Sequence, residues 1–258
     1  MRIVVCVKIT PDPGDLQVRP DGSISLERAE WAISNFDLQA IEAGKKLAEQ
    51  LGGTLTALSA GPAQIATSKL KKDLLSHGPD DLTLVIDETL RAADTAATAR
   101  VLAGAVQKLG SADLVLCGEG SADLYFQQAG IQLGERLGWP TFNAVCRIEP
   151  AGEGRLLVER DLEDEVEVLE VPLPAVLMVT TDINEPRLPT MKDILQAGKK
   201  PVNEWSLPDL NLAPAGDGVE VLQVTAPRQV QRKGVLLDGP VEQAAANLVQ
   251  YLSKEGIL

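Results

Sequence analysis

The chain has 258 residues, of which 45% are apolar and only 3% aromatic, so it can bury a core built mainly of Ala, Val, Leu and Ile. Its formal net charge of −13, from 37 acidic and 24 basic residues, argues against nucleic acid and anionic membranes as partners, because both require a positive surface. No apolar run has the roughly 18 residues that a transmembrane helix needs. The N-terminal stretch does not resemble a signal peptide, because a lysine interrupts its short apolar run. We therefore expect a cytoplasmic protein.

The cysteines and the single histidine offer no metal or disulfide motif. Cys6, Cys117 and Cys146 are scattered and form no CxxC pair, which argues against a disulfide framework. Cys6 and Cys117 lie within apolar runs, where we expect them to be small core residues. His77 has no ligand partners nearby in the sequence, so no metal site is expected.

The first half of the chain alternates predicted strands with predicted helices. Strands are expected at residues 3–7, 54–59, 82–86 and 113–117. A helix is expected after each strand. The first runs from Ser34 or Asn35 to the Gly52-Gly53 pair, and the second ends at about Leu75. The third begins at Asp94 and the fourth at Leu124. The loop PDPGD is expected to have no regular structure. Because β–α–β crossovers are right-handed, this order predicts an α/β fold with a doubly wound, mostly parallel, Rossmann-like sheet.

The second half has a different pattern. Residues 141–148 and 175–179 read as strands, and residues 154–161 and 165–171 alternate apolar with charged residues, as an antiparallel hairpin with one solvated face does. Residues 186–214 are rich in Pro, Asp and Asn and are expected to form an irregular arm, which either wraps around a partner or serves as a linker. A last amphipathic helix is expected within residues 240–258. We therefore divide the chain into a nucleotide-binding α/β domain, 1–185, and an arm with a C-terminal helix, 186–258.

The carboxyl ends of the parallel strands are the expected ligand site, because ligands of open α/β sheets bind where the strand order reverses. Gly118, Gly120 and Ser121 allow close approach of a ligand to the backbone, and free N–H groups at the start of the next helix favour an anion. Either this turn holds a phosphate or its glycines serve packing alone. The turn matches neither GxGxxG nor the Walker motif. Thr95 and Thr98 either add hydroxyl donors or belong only to their helix.

No catalytic constellation is present in the sequence. GEGSAD lacks the GxSxG spacing of a nucleophile elbow, and one histidine without a nearby carboxylate partner does not support acid–base catalysis. The residues alone therefore indicate a nucleotide-binding module without its own bond-making chemistry.

Several segments, taken in order, resemble the electron transfer flavoprotein β subunit family. They span nearly the whole chain: IVVCVKITPDPGD, ISNFDLQAIEAG, LTALSAGPAQ, DTAATA, DLVLCGEGSADLYFQQAGIQLGERLGWP, VERDLEDEVEVLEVPLPAVLMV and INEPRLPTMKDILQAGKKP. GEGSADLYFQQAG in particular resembles the FixA-type branch. Tyr125 stands where the better-known branch has an aspartate, and Ala129 stands where some relatives carry a threonine hydroxyl.

The resemblance implies an adenine nucleotide α-hydrolase-like fold and a heterodimer with a FixB-type α subunit that carries the redox FAD, embraced by the C-terminal arm. The pocket of this chain would hold AMP or, in electron-bifurcating members, a second FAD. Phe36 would lie near the flavin of the α subunit. The expected cofactor-binding residues are Cys6, Ser34, Asn35, Phe36, Asp37, Ala60, Gly61, Asp94, Thr95, Thr98, Gly118, Glu119, Gly120, Ser121, Ala122, Asp123, Gln127, Gln128 and Ala129.

The resemblance also implies a recognition loop and a function as an electron carrier subunit rather than a stand-alone enzyme. Glu185, Pro186, Arg187 and Met191 would dock a partner dehydrogenase or a FixC-type quinone oxidoreductase, with ferredoxin as a further acceptor. Met191 is either the apolar anchor of this contact or an ordinary core residue. Two other readings are a nucleotide sensor of the universal stress protein type, which needs no long arm, and an ATP-dependent ligase or amidotransferase, whose pyrophosphate loop is missing.

Overall fold

The structure is a computed structural model that describes residues 1–152, 154–214, 218–219, 221–227 and 232–258. The strands within these residues are β1 (Arg2–Cys6), β2 (Ile9–Pro11), β3 (Gln17–Val18), β4 (Ile24–Ser25), β5 (Trp31–Ile33), β6 (Thr54–Gly61), β7 (Asp81–Ile86), β8 (Leu114–Gly118), β9 (Thr141–Pro150), β10 (Arg155–Asp161), β11 (Val166–Pro172), β12 (Ala175–Val179) and β13 (Val202–Trp205). The α-helices are α1 (Asn35–Leu51), α2 (Ser68–Ser76), α3 (Thr95–Leu109), α4 (Ala129–Leu137), α5 (Met191–Ala197) and α6 (Val241–Lys254). No helix in the described ranges is both long and apolar enough to cross a membrane.

A nine-stranded sheet forms the centre of the molecule, in the order β11-β10-β9-β12-β8-β1-β6-β7-β13. The seven strands from β9 to β13 pair in parallel. The chain moves outward from β1 to β6 and β7 and then returns to place β8 on the other side of β1. The strand order therefore reverses between β1 and β8, and the predicted doubly wound, mostly parallel sheet is confirmed.

The core lies on both faces of this sheet because its central strands are continuous apolar runs. Along β1, Ile3 and Val5 pack into the core cluster that contains α1 and α2 residues. Val4 and Cys6 point the other way, into the cluster that contains α3 and α4 residues. The predicted helix boundaries at Gly52, which is left-handed at φ 62°, and at Asp94 are confirmed.

The antiparallel hairpin is confirmed at one edge of the sheet. β10 pairs with both β9 and β11 in antiparallel register, and the turn between β10 and β11 closes with a 2.9 Å hydrogen bond from the Leu162 N–H to the Glu165 carbonyl. The C-terminal helix is likewise confirmed as α6, in which no residue is buried.

The predicted helix from Leu124 is wrong at its start, because α4 begins only at Ala129. Tyr125 and Gln127 have positive φ angles, 48° and 56°, which a right-handed helix cannot contain. The ring of Tyr125 folds back onto Gly120 instead. Residues 119–128 therefore form an irregular loop between β8 and α4.

Two segments that were expected to be irregular contain regular structure. In PDPGD, Pro11 ends β2, which pairs with β5, and Pro13–Asp15 is a 3-10 turn capped by Asp12. In the arm, a capping box of Thr190 and Asp193 starts α5, and β13 extends the main sheet by pairing with β7. The Asp and Asn residues that suggested a loop serve as caps and edge-strand residues. The division into 1–185 and 186–258 remains a prediction.

Candidate functional site

A buried carboxylate joins the two strand ends at the point where the strand order reverses. Asp37 lies in the first turn of α1 and is 5% exposed. Its Oδ2 accepts a 2.7 Å hydrogen bond from the Lys8 N–H, just beyond β1, and its Oδ1 accepts a 3.1 Å bond from the Gly118 N–H at the end of β8. Burial raises the pKa of Asp37 from 3.8 to about 7, against the lowering effect of these two amides. Asp37 thus links the segments that follow β1 and β8 at the carboxyl edge of the sheet.

A second contact holds the loop after β8 against the start of α1. The fully buried Ser34 accepts a hydrogen bond at its Oγ from the Ala122 N–H, 3.3 Å away. The Lys8 ammonium lies 2.7 Å from Asp123, whose Oδ1 also accepts a 2.6 Å bond from the Ser121 hydroxyl. Burial disfavours the charged form of Asp123, but Lys8 and Ser121 outweigh it and lower the pKa of this carboxyl. Its negative charge is therefore largely compensated.

The N-termini of α3 and α4 meet at the same edge of the sheet. The Thr95 hydroxyl donates to the Gln128 Oε1 at 2.9 Å and accepts a 3.3 Å bond from the Gln132 Nε2. At the N-cap of α3, the Asp94 Oδ1 accepts the Ala97 N–H at 2.7 Å. Thr95, Gln128 and Gln132 thus form a polar chain that links the starts of both helices.

The free donors of this region suit a phosphate group. Within the described residues, the N–H groups of Gly120 and Ser121 and those of residues 129–131 in α4 have no acceptor, and a helix N-terminus favours an anion. A Cβ at Gly118 would lie 2.7 Å from the Phe36 carbonyl oxygen, so only glycine permits this close approach. The buried Oε1 of Gln132 has no partner and could accept a ligand hydroxyl. The residues therefore fit a nucleotide.

An aromatic pair lies beside these groups. The rings of Phe36 and Tyr125 have centroids 5.0 Å apart and are tilted by 40°. The Gln127 Nε2 donates to the Tyr125 hydroxyl at 3.4 Å. Burial, together with the neighbouring Glu119, raises the pKa of the Tyr125 phenol.

Most of the predicted cofactor-binding residues come together at this carboxyl edge. They lie in three groups: the start of α1, the loop between β8 and α4, and the start of α3. Ala60 and Gly61 end the neighbouring strand β6. The Cys6 thiol instead packs in the core beside Cys117, its partner in the strand register, as was expected for a small core residue; contact with the Cys117 thiol and burial raise its pKa. The Thr98 hydroxyl donates a 2.8 Å hydrogen bond to the carbonyl of Asp94, the N-cap of its own helix.

The predicted docking segment is held on α1. Arg187 donates to both carboxylate oxygens of Glu42, at 2.6 and 3.1 Å, and the Asn184 Nδ2 donates to the Gln39 carbonyl at 3.0 Å. Met191 is 73% exposed at the start of α5, so the alternative of core packing for Met191 is excluded in this chain.

Sequence reasoning missed Lys8, Gln132 and Glu42. Lys8 carried a signal, because a charged residue that directly follows a buried strand lies at the ligand edge of a parallel sheet. Tyr125 lies within the predicted pocket segment, but it was noted as a departure from the family pattern and was given no role. Gln132 and Glu42 gave no signal, because their partners are distant in the sequence.

The described residues also include a cavity away from this edge of the sheet, but no metal-binding cluster of His, Cys, Asp or Glu side chains. A cavity of about 500 Å³ opens at the opposite edge of the sheet, where Met1, Asp113 and Pro174 precede three strands. No group of three or more His, Cys, Asp or Glu side chains in the described ranges could hold a metal ion.

Comparison with known families adds independent information. The model of one protein family, described as the electron transfer flavoprotein domain, matches residues 22–210, more than half of the chain. The matched range begins before α1 and ends after β13, so it includes every group of the candidate site except the end of β1 and Lys8.

Proposed function

Because this chain belongs to the electron transfer flavoprotein family, we propose that it is the β subunit of a heterodimer of the FixA type. Members of the family bind flavin and AMP, and a chain of this kind works together with an α subunit. The redox FAD would be held mainly by a FixB-type α subunit. The universal stress protein alternative gains no support from the family match.

The observation that carries the proposal is the meeting of three structural groups at the switch point. Asp37 fixes the ends of β1 and β8, the loop after β8 presents free N–H groups, and Thr95 links the starts of α3 and α4. This arrangement provides backbone donors for a phosphate without a net positive surface. It supports an AMP or a second FAD in the pocket of this chain.

The bound flavin supplies the redox chemistry, and the protein binds and orients it. In this chain, the N–H groups of Gly120 and Ser121 and of the α4 start would hold the phosphate. Asp37 and Ser34 keep the loops in position, and the exposed Met191 on α5 would contact the electron-donating dehydrogenase. The complex would pass electrons to a FixC-type quinone oxidoreductase or to a ferredoxin.

Co-expression with a FixB-type α subunit tests the proposal. A yellow complex that a dehydrogenase reduces supports it, and a colourless, stable monomer that binds ATP rejects it. The nucleotides released on denaturation then separate the two forms of the proposal. One FAD and one AMP per heterodimer rejects bifurcation, whereas two FAD and no AMP favours it, as does reduction by NADH.

A further inference from the structure

Three neighbouring strands of the main sheet carry sulfur-containing side chains in one row. Cys6 on β1 is the register partner of Cys117 on β8, and Cys117 is in turn the register partner of Met178 on β12. Side chains of register partners lie on the same face of a sheet, and these three belong to the core cluster that contains α3 and α4 residues. The sequence did not reveal this sulfur row, because its members are distant from one another in the chain.

The members of the sulfur row are in contact. A hydrogen bond joins the side chains of Cys6 and Cys117. Gly130, at the start of α4, packs against the other end of the row, since a Cβ there would lie 2.7 Å from the Met178 Sδ and 3.5 Å from the Cys117 Cβ. The strand register and these contacts therefore bring two thiols and one thioether together beneath α4.

The sulfur row lies where this layer of the core reaches the carboxyl edge of the sheet. Cys6 and Cys117 are 6% and 7% exposed, whereas Val4 and Val115, two residues earlier on the same strands, are 0% exposed. Met178 is 2% exposed. The row is thus nearly buried, but it lies at the end of the strands that borders solvent.

The charges around the sulfur row determine which state of the thiols is stable. Contact with Cys117 and burial raise the pKa of Cys6, and the negative charge of Asp37 acts in the same direction. On the other side, the N–H groups of residues 129–131 have no acceptor within the described residues, and the positive end of a helix favours an anion. A pair of thiolates in this place therefore requires a cation between them.

Two thiols and a thioether are a soft set of metal ligands. Such ligands select Cu(I), whereas Zn²⁺ in structural sites usually takes four ligands from Cys, His and carboxylates. No group of three or more His, Cys, Asp or Glu side chains among the described residues could provide that second kind of set.

We propose that Cys6, Cys117 and Met178 bind one Cu(I) ion. The ion replaces the two thiol protons, which pass to solvent, and it keeps its oxidation state. The resulting complex has a net charge of minus one, beside the positive end of α4. The proposal does not rest on the proposed function, because all three ligands belong to this chain.

Anaerobic titration of the full chain with Cu(I), in competition with a colorimetric Cu(I) chelator, tests the proposal. Wild type should withdraw one Cu(I) per chain from the chelator, and Cys6→Ser and Cys117→Ser should lose this binding. X-ray absorption at the copper edge of the wild-type complex should show only sulfur ligands, and this measurement needs no variant. Failure of folded wild type to withdraw Cu(I), or nitrogen and oxygen ligands in the spectrum, would overturn the proposal.

Met178→Leu distinguishes metal binding from packing, because this exchange conserves volume and is well tolerated in cores. Loss of an outer-shell partner already lowers metal affinity by about 10–100-fold, so loss of a ligand should raise the Cu(I) Kd at least about tenfold. Met191→Leu and Cys146→Ser are the matched controls, since Met191 is exposed on α5 and the Cys146 thiol donates to the Glu159 carbonyl at 3.4 Å. Both controls should keep the wild-type Kd. An equal loss in either control, or a wild-type Kd for Met178→Leu, would overturn the proposal.

Discussion

Arg187 forms a bidentate ion pair with Glu42, a residue that is only 4% exposed in the middle of α1. Lys46 approaches the same carboxylate at 3.4 Å. Burial by itself would raise the pKa of Glu42, but the hydrogen bonds and charge of Arg187 outweigh it and lower this pKa. The pair holds the segment before α5 against the helix whose first turn contains Asp37.

Arg187→Met should therefore destabilise the chain, because it leaves a buried carboxylate without its main partner. Charged hydrogen bonds of this kind contribute about 1.5–3 kcal/mol, and we expect the lower end because the Arg187 side chain is 40% exposed. Urea unfolding at neutral pH measures the change. The loss of unfolding free energy caused by Arg187→Met should decrease as the pH falls through the lowered pKa of Glu42, because the protonated carboxyl no longer forms the ion pair.

Arg155→Met provides the control for this comparison. Arg155 pairs with Glu170 on the hairpin at 2.7 Å, and both side chains are more than half exposed. Such a surface pair contributes at most about 1 kcal/mol. Equal destabilisation by the two variants would contradict the structural role of the Glu42 pair.

The second prediction concerns the pH dependence of Asp37. Its pKa is raised from 3.8 to about 7 in the folded chain, so between these values the folded state keeps a proton that the unfolded state has released. The contribution of Asp37 to the free energy of unfolding is therefore fully present below the unfolded-state pKa. It decreases as the pH rises and is lost above about 7. Asp37→Asn lacks this titration. Between pH 5 and pH 8, the urea midpoint of wild type should fall relative to that of Asp37→Asn. An equal change in both midpoints would contradict the raised pKa of Asp37.

The third prediction concerns the close approach at Gly118. Its substitution by Ala places a Cβ 2.7 Å from the Phe36 carbonyl oxygen and the same distance from the Asp37 Oδ1. We expect a loss of about 1–3 kcal/mol, which is typical of an overpacked site, together with weaker nucleotide binding. Gly198→Ala is the control, because its Cβ would meet only the Lys72 Cε at 3.5 Å. A Gly118→Ala chain as stable as Gly198→Ala would show that the backbone contact is not tight.

The doubly wound sheet could be predicted from the sequence because its strands are continuous apolar runs separated by helices with clear caps. The position of the site followed from that order. The start of α4 could not be predicted, since the pattern of residues 124–128 is helical, whereas the contacts that hold the loop, such as Ala122 with Ser34 and Tyr125 with Phe36, join residues distant in the sequence. β13 was missed for a similar reason, because an edge strand such as Val202–Trp205 gains its structure from pairing with β7.

The fourth prediction concerns the docking surface. Met191→Glu should slow electron delivery from the dehydrogenase at least tenfold, since loss of a central apolar anchor costs about 2 kcal/mol or more. Flavin content should not change. Val168→Glu is the control, because Val168 is also exposed, at 56%, but lies on β11 at the other end of the sheet. Equal rates for wild type and Met191→Glu would reject the docking assignment.

The nucleotide content of the purified heterodimer tests the central claim most directly, when it is measured for wild type, Thr95→Val and Thr54→Val. Thr95 links the starts of α3 and α4, whereas Thr54 lies at the opposite edge, at the beginning of β6. The account predicts that wild type and Thr54→Val release an AMP or a second FAD in addition to the flavin of the α subunit, and that Thr95→Val retains less of this second nucleotide. A wild-type heterodimer that releases only a single flavin would contradict it.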